Sequence, residues 1–187
     1  MVNTFVFMGR PGSGKGKQSE LLAKKLGCRI FSTGARYREM TTDGTLLGQK
    51  IKKIMDAGDL TPSWLASFLF EQKLLNLDPK EPVVFEGVGR KLEEAKLFND
   101  VCGFLERDFK VIYLETSEDI VRERIAKRAS IEGRSDDKSI ENRFKKYNEE
   151  TLPAINFFRS IGKVIDINGE PLPEVVEAEI QEKLSHL

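Results

Sequence analysis

The chain of 187 residues has one histidine, His186, and two cysteines, Cys28 and Cys102, which lie far apart in the sequence. This scarcity argues against catalytic triads and metal clusters that need histidine. Two distant cysteines cannot form a zinc ribbon, so we expect no zinc. The only disulfide that they leave open is a Cys28–Cys102 bridge. We interpret both cysteines as small buried hydrophobic residues. Any reaction must therefore use lysine, arginine and carboxylate groups.

The chain also lacks an excess of charge, because Lys+Arg and Asp+Glu are 30 each. A balanced charge argues against the uniformly positive surface that non-specific binding to nucleic acid or membranes requires. No apolar run approaches the roughly 20 residues that cross a bilayer, and the first residues lack the features of a signal peptide. We expect a cytoplasmic protein of one domain, monomeric, with no nucleic-acid or membrane partner.

Short β-rich runs alternate with helical patterns along the chain, which predicts an α/β fold with a mainly parallel, five-stranded sheet flanked by helices. Strands are expected at residues 4–8, 30–31, 83–86, 109–115 and 163–167. Helices are expected at 17–26, 46–57, 63–75 and 120–128. The apolar residues of 63–75, including Trp64 and Phe68, are expected in the core. The stretch 33–60 has no strand after Phe31, which predicts a helical subdomain outside the sheet.

Residues 9–15, GRPGSGK, directly follow the first strand and lead into a helix. Glycines let main-chain N–H groups point into one concavity, the helix N-terminus adds positive potential, and Lys15 adds a mobile charge. The pattern predicts a polyphosphate site. Its residues are Gly12, Ser13, Gly14, Lys15, Gly16 and Lys17. Because no Ser or Thr follows Lys15, Mg²⁺ loses its usual hydroxyl ligand.

Arginines and one carboxylate are placed to complete a site for phosphoryl transfer, which must neutralise several negative charges at once. Arg90 follows the strand 83–86 and should project at the carboxyl edge of the sheet. Arg124 and Arg128 are four residues apart and share a helix face, with Arg134 on the loop beyond. Glu86 ends its strand beside the phosphate-loop strand in the expected topology, where a carboxylate can hold Mg²⁺ through water.

Residues 9–18, GRPGSGKGKQ, resemble the loop G-x-P-G-x-G-K-G-T-Q of the adenylate kinases. Further motifs of that family follow in order along most of the chain. Residues 32–38 resemble S-T-G-D-x-x-R, residues 58–62 resemble G-x-L-V-P, and residues 86–90 resemble D-G-F-P-R. Residues 124–128, 133–137 and 143–153 resemble R-x-x-x-R, G-R-x-D-D and the helix that ends in T-x-P.

The resemblance implies a P-loop NTPase fold and a nucleoside monophosphate kinase, expected to be an adenylate kinase that transfers the γ-phosphoryl group of MgATP reversibly to AMP. It implies one kinase domain with a core (1–32, 63–128 and 138–187), an NMP-binding subdomain (33–62) and a short lid (129–137). The implied catalytic residues are Lys15, Arg90, Arg128, Arg134 and Arg143, and Arg124 is implied near the donor base. The implied AMP-binding residues are Thr33, Arg38, Asp59, Leu60, Thr61, Gly87, Arg90, Glu94, Arg134 and Arg143.

Several residues depart from the family's motifs, among them Lys17, Ala35, Glu86 (where the family has Asp), Gly89 and Glu94. Ala35 replaces an acidic residue that in the family helps to organise the water molecules bound to Mg²⁺. The coordination shell of the metal would therefore depend on phosphates, water and Glu86. Glu94 replaces a glutamine that reads adenine. A carboxylate accepts a hydrogen bond from the amino group of adenine, cytosine or guanine but cannot donate one to a ring nitrogen.

Several alternatives therefore stay open. Glu94 could be an exposed helix residue without a role in the site. The chain could be a kinase of CMP or UMP, or a nucleotide-binding regulatory protein without turnover. An ATPase directed to nucleic acid is disfavoured by the balanced charge.

Overall fold

The computed structural model describes residues 2–132 and 139–186, with side chains described for 2–127 and 139–186. Five parallel strands form one sheet in the order β2-β3-β1-β4-β5. These are β1 (Thr4–Gly9), β2 (Arg29–Ser32), β3 (Val83–Glu86), β4 (Phe109–Glu115) and β5 (Val164–Asn168). The predicted α/β fold with a parallel five-stranded sheet is confirmed, and each predicted strand bound lies at or beside the observed one.

Helices connect the strands and cover both faces of the sheet. They are α1 (Lys15–Leu26), α2 (Thr33–Met40), α3 (Leu46–Ala57), α4 (Ser63–Leu75), α5 (Leu92–Phe104), α6 (Glu118–Glu132), α7 (Ile140–Lys146), α8 (Leu152–Ser160) and α9 (Pro173–Leu184). A π-helical segment, Tyr147–Thr151, joins α7 to α8. The first helix begins two residues before the predicted start, because Gly14 already caps it and Lys15 is its first residue.

The core has two halves, one on each face of the sheet, because side chains alternate along a strand. Val6 and Met8 of β1 pack with residues of α4, α5 and α8. Phe5 and Phe7 of the same strand pack with residues of α1 and α9. A strand buried on both faces reads as a continuous apolar run, which is why β1 is recognisable in the sequence.

The segment between β2 and α4 consists of α2 and α3, as predicted from the lack of a strand there. Ser32 caps α2 by accepting a hydrogen bond from the Ala35 N–H, and Thr45 caps α3 in the same way through Gly48. Tyr37 and Ile51 are buried against residues of α4. The division into core, NMP-binding subdomain and lid stays a prediction. Most of the predicted lid, 129–137, lies outside the described residues, and α6 continues as far as Glu132.

Two expectations about buried residues need correction. Trp64 and Phe68 are 66% and 55% exposed, whereas Leu65 and Leu69 of the same helix are buried. The reason is that α4 packs mainly on α5 and more lightly on α2, so residues one turn apart on its outer side face solvent. Cys102 is buried as predicted, but Cys28 is only partly buried. Both thiols are free, which removes the possibility of a bridge.

Within the described residues, no helix has the length and apolar character needed to cross a membrane.

Phe98 of α5 lies at the centre of an aromatic cluster and is fully buried. Its ring makes edge-to-face contacts with four other phenylalanines, whose ring centroids lie 5.2–6.5 Å away. These are Phe70, Phe85, Phe109 and Phe158. The ring therefore joins α4, α5 and α8 to the sheet.

We expect Phe98→Ala to lower the free energy of unfolding by about 3–5 kcal/mol, because it removes a buried ring and leaves a cavity. Phe104→Ala is the matched control on the same helix, since Phe104 is 85% exposed, and should change it by about 0.5 kcal/mol or less. Urea unfolding followed by circular dichroism measures both. Equal losses in the two variants would contradict this account of the core.

Candidate active site

The carboxyl ends of the parallel strands meet at one edge of the sheet, and a cleft of about 750 Å³ opens there. Its walls come from the loop between β1 and α1, from α2, from the loops after α3 and β3, and from α6 and α7. In the register of the sheet, Phe7 of β1 lies beside Glu86 of β3. The predicted neighbourhood of Glu86 and the phosphate loop is therefore confirmed.

The phosphate loop is packed so closely against α6 that one of its positions has no room for a side chain. Gly12 has a φ of 83°, which favours glycine, and a Cβ there would lie 2.9 Å from both Val121 and Ile125. The backbone of the loop is thus pressed onto α6. This close approach leaves the opposite side of the loop open to the cleft, where Gly12, Gly14 and Gly16 line the wall.

Lys15 is 9% exposed, and its ammonium group lies over the phosphate loop. It donates hydrogen bonds to the main-chain oxygens of Gly9 (2.9 Å) and Arg10 (2.6 Å) and to the Ser13 hydroxyl at 3.4 Å. Ser13, a residue of the same loop, is itself buried. Lys17 is exposed at the cleft and forms no ion pair with the described residues. The loop therefore presents two ammonium groups beside the helix N-terminus.

Arg38 of α2 and Arg90 of the loop after β3 also line the cleft, and no carboxylate of the described residues lies within ion-pair distance of either. Arg90 lies across Gly87, whose φ is 82° and whose Cβ would lie 2.7 Å from the guanidinium group. Thr33 secures this turn by donating its hydroxyl to the Gly87 main-chain oxygen at 2.8 Å. Two guanidinium groups without a carboxylate partner suit an anionic ligand such as a phosphate.

Glu86 and Glu94 both line the cleft but differ in surroundings. Glu86 is partly exposed, and its Oε2 accepts a hydrogen bond from the Ser32 hydroxyl at 2.9 Å. Glu94 is 3% exposed, and its Oε2 accepts from the main-chain N–H groups of Arg90 (3.0 Å) and Lys91 (3.4 Å). The alternative of an exposed Glu94 is therefore wrong, because the carboxylate folds back to cap α5. Burial raises the pKa of this carboxyl, against the lowering effect of the two N–H groups and the nearby positive charges.

The segment 59–61 lines the cleft beside α2, where the AMP-binding residues are predicted. Thr61 is buried and donates its hydroxyl to the Tyr37 oxygen at 2.8 Å. Asp59 accepts a hydrogen bond from the Asn142 side chain at 2.9 Å. Asn142 also donates to the main-chain oxygen of Ala57 at 2.7 Å, so the end of α3 is attached to α7.

Arg124 and Arg143 reach the cleft from α6 and α7. The Arg124 guanidinium donates to the main-chain oxygens of Gly169 (2.8 Å) and Glu170 (2.7 Å), and more weakly to that of Ser13 (3.4 Å). It thereby connects the phosphate loop with the segment after β5. Arg134 and the side chain of Arg128 lie outside the described residues.

The family model for adenylate kinases matches residues 7–163 of the chain. An adenylate kinase of Leptospira biflexa is 35% identical over 167 residues, which cover 88% of this chain and 90% of the relative. An adenylate kinase of Thermus thermophilus is 34% identical over 182 residues, covering 96% and 95%. One of Mycobacterium tuberculosis is 36% identical over 167 residues, covering 88% and 90%.

The chain belongs to the adenylate kinase family. The resemblance seen in the ordered motifs is thus confirmed. Of the predicted site residues with described side chains, all but the buried Ser13 line one cleft, although they come from positions between 12 and 143.

Several residues that line the cleft of this adenylate kinase family member were not predicted. They are Ser32, Tyr37, Met55, Lys146, Tyr147 and Thr151, among others. Tyr147 and Thr151 follow Arg143 at intervals of four residues, so a helical count from Arg143 would have found them. Tyr37 likewise follows Thr33 by four residues on α2, and its hydroxyl accepts a hydrogen bond from Thr61.

The raised pKa of Glu94 gives a test of its burial. A carboxyl whose pKa is higher in the folded chain binds more protons when folded, so between the unfolded and folded pKa values stability falls as pH rises. Glu94→Gln removes this titration and keeps an oxygen acceptor for the two N–H groups. We expect the stability of the variant relative to the wild type to increase from about pH 4 upward and then to level off. Urea unfolding across this pH range measures it, and a difference that does not change with pH would contradict the prediction.

Proposed function

We propose that this chain is an adenylate kinase, which transfers the γ-phosphoryl group of MgATP reversibly to AMP and gives two molecules of ADP. The observation that carries the proposal is the arrangement of one cleft. The phosphate loop with Lys15, which follows β1, and Arg38 and Arg90, which follow β2 and β3 on one side of it, line the same cleft. A single cleft with cations from separate elements suits two phosphorylated ligands that meet within it.

The donor nucleotide is proposed to bind at the phosphate loop, through Gly12, Ser13, Gly14, Lys15, Gly16 and Lys17. Ser13 would act through its main chain, since its side chain is buried. Lys15 now bonds neutral main-chain oxygens. A phosphate carries full negative charge and makes stronger hydrogen bonds with an ammonium group, so we expect ATP to draw Lys15 towards its phosphates. Arg124 is proposed to lie near the donor base.

The acceptor is proposed to bind between α2 and the loops after α3 and β3. Arg38 and Arg90 would hold its phosphate as forked, directional donors. Thr33, Asp59, Leu60, Thr61, Gly87 and Glu94 would surround its nucleoside. The Glu94 oxygen that caps α5 is fixed, so only its other oxygen would be available to accept from an exocyclic amino group.

The reaction needs no protein group as a general base, because the acceptor phosphate is already an anionic nucleophile. One of its oxygens attacks the γ-phosphorus of ATP, the bond to the β-phosphate oxygen breaks, and ADP leaves. The protein must position the two nucleotides and offset the charge of the moving group. We assign these tasks to Lys15, Arg90 and Arg143, with Arg128 and Arg134 as further predicted members.

Magnesium is proposed to arrive with ATP and to be held through water by Glu86. When bound, Mg²⁺ neutralises phosphate charge in such reactions. Glu86 fits this role because it lines the cleft at the end of β3 and is oriented by Ser32. The described residues contain no group of three potential metal ligands, so the phosphates and water would supply the remaining ligands. The expected lack of zinc, the monomeric state and the cytoplasmic location stay predictions, as does the lack of nucleic-acid and membrane partners.

A panel of acceptors tests the proposed function. Purified protein is given ATP and Mg²⁺ with AMP, CMP, UMP or GMP, and ADP formation is followed in a coupled assay. We expect the highest turnover with AMP. Highest turnover with CMP or UMP would instead support a pyrimidine nucleotide kinase, for which the carboxylate of Glu94 gives a reason. Binding of a nucleotide with no transfer to any acceptor would support a regulatory protein.

We expect Lys15→Ala and Arg90→Ala each to reduce turnover more than about tenfold, because each removes a positive charge facing the reacting phosphates. The matched controls are Lys25→Ala and Arg29→Ala, which remove exposed charges outside the cleft and should leave turnover close to the wild-type value. Steady-state kinetics with circular dichroism as a check of folding measures this. Near-normal turnover in either active-site variant would refute its assigned role.

A further inference from the structure

Arg10 is the second residue of the phosphate loop, and its side chain makes three contacts that the proposed function does not use. Its Nη1 donates to the main-chain oxygen of Thr116 at 3.1 Å, and its Nη2 lies 3.5 Å from a carboxylate oxygen of Glu118. The guanidinium carbon lies 5.0 Å from the centroid of the Tyr147 ring. Arg10 is not among the residues that line the cleft. Its charge therefore faces other parts of the protein and not the site of the phosphates.

These contacts reach the elements that carry the arginines of the site. Glu118 is the first residue of α6, which bears Arg124. Tyr147 begins the π-helical segment directly after α7, which bears Arg143. One side chain thus fastens the phosphate loop to both arginine-bearing helices.

The main chain of Arg10 holds Lys15 at the same time. Its oxygen accepts hydrogen bonds from the Lys15 ammonium at 2.6 Å and from the Ser13 N–H at 3.1 Å. A shift of the Arg10 side chain would therefore move the main chain on which Lys15 rests.

The surface on which Arg10 stacks is itself fixed. Tyr147 is 3% exposed, and its hydroxyl lies 2.8 Å from that of Tyr113 on β4. The ring is thereby anchored to the central sheet. Cation–π contacts with a buried ring are stronger than those at exposed sites, because less water competes for the cation.

We propose that Arg10 is a positioning residue, which holds the phosphate loop in register with α6 and α7 through Glu118 and the Tyr147 ring. This inference rests on the proposed function, because it states how Lys15 and Arg143 keep their spacing across the transferred group. A displacement of about 1 Å in such a site is enough to reduce a rate strongly.

The test is Arg10→Met, which keeps the length and the apolar contact with the ring but removes the charge and the donors. We expect kcat to fall about tenfold, while the KM for AMP stays within about twofold of the wild type, because Arg38 and Arg90 are untouched. Arg10→Lys keeps the positive charge but loses the forked donors of the guanidinium group. Its kcat should therefore lie between those of the wild type and Arg10→Met. It also serves if Arg10→Met does not fold.

Arg159→Met is the matched control. Arg159 stacks on Tyr113 at 5.6 Å and pairs with Asp166, so it belongs to the same pair of tyrosines but does not touch the loop. We expect it to lower the melting temperature about as much as Arg10→Met and to leave kcat unchanged. A loss of kcat equal in both variants would show a general effect of stability and would overturn the proposal.

A double-mutant cycle with Tyr147→Leu tests the contact itself. If Arg10 acts through the ring, the double variant should lose about as much kcat as the more affected single variant, and Tyr147→Phe, which keeps the ring, should lose less than Tyr147→Leu. Losses that multiply in the double variant would overturn the proposal, as would wild-type kcat in Arg10→Met.

A failure of the proposed function is distinguishable from a failure of this inference. If the wild type transfers no phosphoryl group, the same cycle is measured on the calorimetric affinity for an inhibitor in which a chain of phosphates joins two adenosines. We then expect weaker binding in Arg10→Met and the same lack of additivity. Unchanged affinity in Arg10→Met would contradict the positioning role.

Discussion

The close contact between the phosphate loop and α6 is the constraint from which the rest of the site follows. Because Gly12 lies against Val121 and Ile125, the loop backbone has one possible side on which to open, and that side faces the cleft. The main-chain N–H groups and Lys15 are then presented to the same space as Arg124, which comes from α6 itself. A side chain at residue 12 would separate the two elements and move both sources of positive charge.

The charge of the molecule is zero overall, but it is distributed so that the cleft is positive. Of the described residues, seven cationic side chains line it, Lys15, Lys17, Arg38 and Arg90 among them. Four carboxylates of the described residues also line it, and three of them already accept hydrogen bonds from the protein: Asp59 from Asn142, Glu86 from Ser32, and Glu94 from two N–H groups at the start of α5. The site can therefore attract polyphosphate locally although the chain as a whole carries no net charge.

The positions of the strands, the phosphate loop and most of the cleft residues could be predicted from the sequence, because they depend on local patterns. β1 is a continuous apolar run that is followed by glycines and a lysine, and such a run is recognisable without its neighbours. The motifs around Arg38, Arg90 and Arg143 are also short and contiguous. The burial of Glu94 could not be predicted, since it depends on the turn that brings the Arg90 and Lys91 N–H groups over its carboxylate. The exposure of Trp64 and the stacking of Arg10 on Tyr147 likewise depend on how distant elements pack.

The central claim is that one cleft holds two nucleotides, with the donor phosphates on the loop and the acceptor phosphate on Arg38 and Arg90. A crystal structure with an inhibitor in which a chain of phosphates joins two adenosines tests this most directly. The account predicts the phosphate chain running from Lys15 to Arg90, with one adenosine beside Arg124 and the other beside Thr33 and Thr61. An inhibitor bound elsewhere, or a cleft left empty at saturating concentration, would contradict it.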